Sequence, residues 1–273
     1  MVLFCKTSIG GADSTLSTFL LGGLVLFLAM LLSVSGFLVV QRLVPLELRQ
    51  SHNSPTGIIY GALYVTFGVV VGFCAFLVLS KYTTSQATVV NEASNVRALY
   101  YLAEQFPQAQ REQLQDLAKS YARVVIEEEW PLMREGQSSP RAAALDQEIT
   151  RSVQSLEQST STSQTLFSQA LQRTNELNQN RSIRLLYASK GLPLILWLVL
   201  GVLAVIIIVF TYFVGMESVW LHVLAVAALA ASLTLIMFTT LALDSPFGGD
   251  FRLTPDAFET VLSEMESASQ PQP

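Results

Sequence analysis

The sequence is poor in charged residues and has very few histidines and cysteines. Charged residues make up 14 % of the 273 residues, whereas a soluble domain usually carries about 25 %. Two His and two Cys cannot supply most His/Cys metal clusters. Cys5 lies near the N-terminus and Cys74 lies inside an apolar run, so no disulfide framework is indicated. We therefore expect no metal site and no cofactor.

Sequence signatures of catalysis and of nucleic-acid binding are also missing. We find no nucleophile–base pair, phosphate-binding loop or metal-ligand spacing, so the chain is not expected to be an enzyme. No basic patch favours nucleic-acid binding. The net charge of −5 comes from the end of the chain, because six acidic residues and one Arg follow from Asp244 onward. Between Lys81 and Lys190, twelve basic and twelve acidic residues cancel.

The chain instead contains four long apolar runs without charge. They are Phe19–Val40, Gly57–Ser80, Gly191–Val214 and Val219–Leu243. Each can cross the hydrocarbon core of a bilayer, which takes about 20 helical residues. The first run is too long for a secretory h-region and no clear cleavage site follows it, so we interpret it as an anchor that stays. The sequence predicts an all-α membrane protein with four transmembrane helices, in contact with the lipid bilayer.

The polar segment between the second and third runs is predicted to be helical. Apolar residues recur at helical spacing from Val89 to Tyr100. No strong breaker separates Ser80 from Glu104, so the second span is expected to continue as one long helix that Pro107 ends.

Two further helices are expected in this segment. One covers roughly 108–129 and is closed by Pro131 and Gly136, and the next begins at Ser139-Pro140, a Ser cap followed by Pro at the first position. Gln, Ser and Thr dominate 152–164, which favours a solvated or frayed helix.

This pattern divides the chain into five parts. They are an N-terminal leader (1–16), a first transmembrane pair (17–80), a helical insert (81–190), a second transmembrane pair (191–243) and an acidic tail (244–273).

Basic residues near the spans are more frequent on one side of the membrane than on the other. That side carries Lys6, Lys81, Arg181, Arg184, Lys190 and Arg252, and the other carries Arg42 and Arg49. By the positive-inside rule, both termini and the insert are expected to be cytoplasmic.

The second span carries a stripe of glycines. Gly57, Gly61, Gly68 and Gly72 fall within roughly 60° of one another at about 100° per residue. Such a stripe of bare backbone lets another helix approach closely. We interpret it as a helix-packing seam, with a pore lining as the alternative.

Ionisable residues near the spans are the other candidates. Arg42, Arg49 and His52 lie together in the short outer loop and could attract anions to a pore mouth, or could serve interfacial anchoring and topology. His222 is an ionisable residue inside the fourth span and hence a functional candidate. Its position about one turn from the end of the span favours an interfacial place instead.

Two acidic features lie outside the spans. Glu127, Glu128 and Glu129 point about 100° apart on a helix, so one or two could line an acidic vestibule or bind a cation, or all could form a solvated helix end. Asp244 and Asp250 flank a turn with Pro246, Phe247 and Gly248. This turn could bind a cation or reverse the chain and seat the tail on the insert.

Four strings give the sequence a family resemblance. They are RLVPLELRQSH (42–52), LYYLAEQFPQAQREQ (99–113), VVIEEEWPLM (124–133) and LALDSPFGGDFRL (241–253). Together with the order of spans, insert and tail, they resemble a bacterial family of bestrophin-like membrane domains. The stretch from Asp244 to Asp250 is similar to the Asn/Asp-Pro-Phe-Gly stretch after the last span of bestrophins.

The resemblance implies a homo-oligomer, a pentamer in bestrophins, that conducts small anions across the bacterial inner membrane. Bestrophins line their pore with the second span and narrow it with a ring of apolar side chains. By this resemblance the stripe of Tyr60, Tyr64, Phe67 and Val71 is the candidate neck, with contacts to lipid or a partner helix as the alternative. The acid cluster of the animal calcium site does not follow Gly248, so no calcium gate is implied.

A second hypothesis requires no ion conduction. The neutral insert, rich in Gln, Ser and Thr, suits protein contact, so the protein could be a membrane scaffold or sensor that binds a partner through residues 81–190.

Overall fold

The protein is helical throughout the part that the structure describes. This computed structural model describes residues 12–51, 53–156, 161–248 and 252–269, and within these ranges it contains no β-strand. The α-helices are α1 (Ala12–Leu43), α2 (Leu46–Ser51), α3 (Asn53–Leu102), α4 (Gln108–Val124), α5 (Trp130–Met133), α6 (Pro140–Gln154), α7 (Ser161–Ser189), α8 (Leu194–Tyr212), α9 (Val219–Leu243) and α10 (Asp256–Ala268).

The chain folds into two compact units. The apolar unit consists of the chain up to Leu79 together with Leu192–Asp244. The polar unit consists of Ser80–Gly191 together with the chain from Ser245 onward. The boundary between them falls within α3, a single helix of 50 residues.

Four helices are long and apolar enough to cross a membrane. These segments are Leu20–Leu43, Gly57–Gln105, Leu194–Tyr212 and Val219–Leu243. Many large apolar side chains on them are exposed, including Leu32 at 73 % and Trp220 at 72 %. Such exposure suits hydrocarbon as the solvent, because lipid tails are as apolar as these side chains.

Helix α1 packs along α9 and against the end of α8. Phe37 of α1 lies in a buried cluster with Tyr212 and Val226. Gly36 is needed at this crossing, because a Cβ there would lie 2.8 Å from the Tyr212 hydroxyl. Small residues therefore let these helices approach closely.

Helix α3 continues past the apolar run, as its lack of breakers predicts. It ends at Leu102, followed by a 3₁₀ turn over Ala103–Gln105 that stops before Pro107. The apolar stripe predicted on this helix from Val89 to Tyr100 is buried in the core of the polar unit.

The prediction that Pro131 closes the helix over 108–129 is wrong. After α4 the chain makes a π-helical turn, Val125–Glu129, and continues into α5. Pro131 sits in the first turn of α5, where a missing N–H costs little. The helical path ends near Gly136, the other residue predicted to close it, and its φ of 73° favours glycine.

The start of α6 follows the predicted cap. The Ser139 side chain accepts a hydrogen bond from the Ala142 N–H, and Pro140 is the first helical residue. Of the stretch predicted to be solvated or frayed, 157–160 lie outside the described residues.

The acidic tail completes the core of the polar unit. Phe258, Val261 and Met265 of α10 are buried in the same cluster as Val96 and Tyr121. The Tyr100 hydroxyl also donates to the Met265 carbonyl at 3.1 Å. Helix α10 is therefore part of this core.

Truncation of Phe258 tests this packing. Phe258→Ala should destabilise the polar unit by about 3–5 kcal/mol, because it opens a cavity beside Trp130. Thermal unfolding and hydrogen exchange of α10 in the detergent-solubilised full chain measure the effect. Glu259→Ala, at an exposed position next to it, is the control and should change little. Equal behaviour of the two variants would contradict the packing.

Candidate pore-lining helix and buried ion-pair cluster

One face of α3 is packed inside the apolar unit. Phe67 and Val71 are 3 % and 8 % exposed, and Cys74 is fully buried. They contact a cluster contributed by α8 and α9. Its other buried members are Leu200, Ala204, Ile207 and Leu233.

The residues predicted for a neck lie on this packed face. Tyr60 and Tyr64 are partly buried there, with ring centroids 4.6 Å apart. The Tyr60 hydroxyl lies 3.0 Å from Thr211 Oγ1 of α8. A side chain that lines the pore of a ring of protomers must be open in each protomer, and Phe67 and Val71 are not. The neck prediction for these two residues therefore does not fit the packing.

The glycine stripe of α3 is open in this chain. A Cβ atom built on Gly57, Gly61, Gly68 or Gly72 would have no neighbour within 4 Å. The described part of the chain thus offers this stripe no packing partner, and the predicted seam would require another molecule. Beyond the glycines the helix exposes Val65, Val69 and Phe76, at 67 %, 67 % and 65 %.

The two described basic candidates of the outer loop, Arg42 and Arg49, differ in exposure. Arg42 is exposed, whereas Arg49 is only 5 % exposed and donates from Nη1 to the Tyr212 carbonyl at 3.5 Å. Arg49 therefore caps the end of α8 and does not present its guanidinium to a pore mouth. His52 lies outside the described side chains.

His222, like Arg49, contacts a backbone carbonyl at the end of α8. Its Nε2 lies 3.0 Å from the Thr211 carbonyl, and its ring packs against Phe37 at an interplanar angle of 45°, with 4.1 Å between centroids. A carbonyl only accepts, so this contact places the proton on Nε2. Together with Arg49, this histidine binds carbonyls of the last turn of α8, which lack partners within the helix.

A buried ion-pair cluster lies in the core of the polar unit. Arg184 of α7 binds Glu92 of α3 through two hydrogen bonds, from Nε at 2.6 Å and from Nη2 at 2.8 Å. Arg184 Nη2 also donates to Glu129 at 2.7 Å, and Arg181 Nη2 donates to the other Glu129 oxygen at 2.6 Å. Glu92, Glu129 and Arg184 are completely buried.

Neighbouring side chains enclose this cluster. The Tyr121 hydroxyl donates to Glu92 at 2.7 Å. The Arg184 guanidinium lies 5.8 Å from the centre of the Trp130 ring and 5.9 Å from that of Phe258. Burial, aided by the charge of Glu92, raises the pKa of Tyr121 well above its ordinary value. Burial alone would lower the pKa of Arg184, but Glu92 outweighs it and the pKa is raised. Arg184 therefore stays charged and Tyr121 stays a hydrogen-bond donor.

The π turn decides where the three consecutive glutamates point. Glu129 turns into the core and accepts from the Ser139 N–H as well as from the arginines. Glu128 turns outward and pairs with Arg141 at 2.8 Å, and Glu127 is exposed. Only Glu127 and Glu128 remain candidates for an acidic vestibule, since the carboxylate of Glu129 is enclosed.

Sequence reasoning missed Glu92, Arg181 and Arg184 as parts of one site. A usable signal existed on α3, where Glu92 interrupts the apolar stripe between Val89 and Val96. A charge at a core position requires a buried partner. Its partner, Arg184, is 92 residues away in sequence, and no local pattern indicates which arginine it is.

The turn after the last span binds backbone and aromatic groups. Asp244 accepts from the Leu192 N–H with both oxygens, at 2.8 and 3.0 Å. Phe247 packs edge-on against Trp130, with centroids 5.7 Å apart, and the Leu253 N–H donates to the Pro246 carbonyl at 2.7 Å. A Cβ on Gly248 would lie 3.3 Å from the Arg134 carbonyl.

Asp250, the other acid of this turn, lies outside the described residues. Within the described residues, no group of three or more His, Cys, Asp or Glu side chains could hold a metal ion.

Four long apolar helices and an all-helical fold define a multi-span membrane protein. The sequence model of the Bestrophin-like domain matches residues 27–258, which is most of the chain. The chain therefore belongs to the bestrophin-like family, as its sequence motifs predict.

The fold is similar to that of bacterial bestrophin homologues of known structure. A homologue from Klebsiella pneumoniae carrying a single substitution matches with a TM-score of 0.68 and 11 % identity, over 90 % of this chain and 99 % of that one. The homologue solved by Zn-SAD phasing matches with a TM-score of 0.65, at the same identity and coverage. Among curated proteins, none matches this sequence significantly.

Loss of Arg184 tests the ion-pair cluster. Arg184→Met should destabilise the polar unit by about 3–5 kcal/mol, because it leaves Glu92 buried without its cation. The melting temperature of the detergent-solubilised protein measures this change. Arg173→Met is the matched control on α7, since Arg173 is 48 % exposed and pairs with Glu176 at the surface. That variant should lose less than about 1 kcal/mol of stability. A similar loss in both variants would contradict a stabilising role for the buried ion pairs.

Proposed function

We propose that the protein is a homo-oligomeric channel for small anions in the bacterial inner membrane. The observation that carries this proposal is the open, uncharged face of α3, in a chain of the bestrophin-like family. A helix that leaves four glycines and a row of apolar side chains uncovered has a face available to identical copies around an axis. A pentamer is the expected ring, by resemblance to bestrophins.

The open face of α3 is wide enough for two roles. Val65, Val69 and Phe76 lie within roughly 40° of one another on the helix, away from the packed face that contains Phe67. We assign this row to the pore lining, where apolar side chains gate ions by excluding water. The glycine stripe beside it, from Gly57 to Gly72, is assigned to close packing against the next protomer.

The proposed orientation places both termini and the polar unit in the cytoplasm. Basic residues are more frequent near the spans on that side. In this arrangement Glu127 and Glu128 would face the cytoplasmic solution. Exposed Arg42 would lie at the opposite end of the spans.

Paired substitutions on α3 test the assignment. Purified protein in planar bilayers should give anion-selective currents. Val69→Ala, on the open face, should change their conductance or selectivity. Phe67→Ala, on the packed face, should lower thermal stability by about 3 kcal/mol and leave the conductance of the assembled protein unchanged.

Three outcomes would overturn the proposal or its details. Bilayers without current across a range of calcium concentration, pH and voltage would contradict ion conduction. Particle images of a monomer or dimer would exclude a central pore between protomers. A conductance that responds to Phe67→Ala and not to Val69→Ala would contradict the assignment of faces.

A groove in the polar unit favours the alternative of a non-conducting scaffold or sensor. This groove has a volume of about 510 Å³ and lies between α3 and α7. Its lining is mostly polar: Ala98, Tyr101, Leu102, Gln105, Gln169, Gln172 and Arg173. Such a surface suits a protein partner with hydrogen-bonding side chains.

A pull-down with the full chain tests this alternative. If the groove binds a partner, a stoichiometric protein should be recovered, and Gln169→Ala together with Gln172→Ala should weaken its binding. Recovery that does not change with this double substitution would contradict a role for the groove. Glu259→Ala, at an exposed position of α10, serves as the control and should leave the recovery of the partner unchanged.

A further inference from the structure

The ion-pair cluster of the polar unit contains one carboxylate more than its guanidiniums. Glu92 of α3, Glu129 of the π turn and Asp146 of α6 face two arginines, Arg181 and Arg184, which both belong to α7. Glu92 and Glu129 each make contacts of 2.6–2.8 Å to an arginine. Asp146 reaches Arg181 Nη1 only at 4.0 Å. The third carboxylate therefore lacks a close ion pair.

The surroundings of Asp146 compensate a negative charge only in part, through one neutral amide and one distant guanidinium. Its side chain is 15 % exposed. The amide of Asn178 lies against the carboxylate and donates to it when its nitrogen faces that way. The titratable and charged groups that face it from the packed elements are Glu92, Tyr121, Glu129, Arg181 and Arg184. Two of these are carboxylates, so an ionised Asp146 adds a third negative charge to an enclosed site.

Protonation would bring the cluster into balance. With a neutral Asp146, two carboxylates face two guanidiniums. The pKa of Asp146 is raised from 3.8 to about 6, chiefly by burial and also by the charges of Glu92 and Glu129, against the lowering effect of Arg181 and Arg184. The direction agrees with the geometry, because a poorly compensated buried carboxylate favours its neutral form.

We propose that Asp146 is a pH-sensitive contact that holds α6 against α7 more firmly in acid than at neutral pH. The contact belongs to the polar unit alone and does not depend on whether the protein conducts ions. Acidification of the compartment that this unit faces would tighten the attachment of α6. A neutral or alkaline solution would loosen it.

The sign of the effect follows from the two protonation states. The pKa of Asp146 is higher in the folded protein than in the unfolded chain, so the folded state binds the proton more strongly. This contribution to stability is fully present below about pH 4 and is lost as the pH rises through about 6. Above that pH an ionised Asp146 weakens the unit.

Hydrogen exchange of the intact, detergent-solubilised protein tests the proposal. Wild type and Asp146→Asn are compared at one pH at a time, so the intrinsic exchange rate cancels. At pH 7.5 the substitution should slow exchange of the α6 amides by roughly ten- to a hundredfold, because the pKa difference limits the effect to about two powers of ten. At pH 4.5 the difference between the two proteins should be at least about tenfold smaller, because Asp146 is then mostly protonated in the folded protein.

The control is Glu128→Gln, which removes a partly exposed carboxylate of the same unit. Its effect on α6 should not change between pH 4.5 and 7.5 in the manner of Asp146→Asn. Melting temperatures of all three proteins across this range give a second readout. An effect of Asp146→Asn that is the same at both pH values, or absent from α6, would overturn the proposal.

Discussion

The bond between Arg184 and its two glutamates is the constraint on which the polar unit depends. Completely buried charges are costly, and only close, complete pairing makes them tolerable. The pairing joins three separate parts of the chain: α3, the π turn and α7. Trp130, Phe258 and Tyr121 then close around it. The aromatic core, including the tail helix α10, is thus arranged around one guanidinium.

The apolar unit follows a different constraint. Its helices bury few polar groups, and those at the end of α8 include Arg49 and His222, which bind the last carbonyls. These residues are functional candidates in the sequence, and in the structure both contact backbone carbonyls at the end of α8. The Thr211 carbonyl also accepts from the Val214 N–H, so His222 adds a second donor to it.

The sequence predicts the elements better than their contacts. The four spans, the long continuation of α3 and the cap at Ser139 all depend on local composition or on neighbouring residues, and these predictions agree with the structure. For the face of α3 that contains Phe67, the sequence leaves a neck and contacts with a partner helix as alternatives. Lipid and protein interior are equally apolar, so the spacing of Phe67 and Val71 does not show whether they face a neighbour or the outside. The pair Glu92–Arg184 joins distant parts of the chain, which no local pattern reports.

The π turn over Val125–Glu129 has a consequence for how this segment can vary. A π turn holds one residue more than an α turn, and it rotates the downstream residues by about 100° relative to an uninterrupted α-helix. A return of this turn to α geometry with all its residues kept would swing the next side chains around the helix axis, and Glu129 and Trp130 would then leave Arg184 together. Loss of one residue with the same change would keep the downstream side chains in place, because it removes the residue that the wide turn accommodates. The wide turn is therefore what brings Glu129 and Trp130 to Arg184.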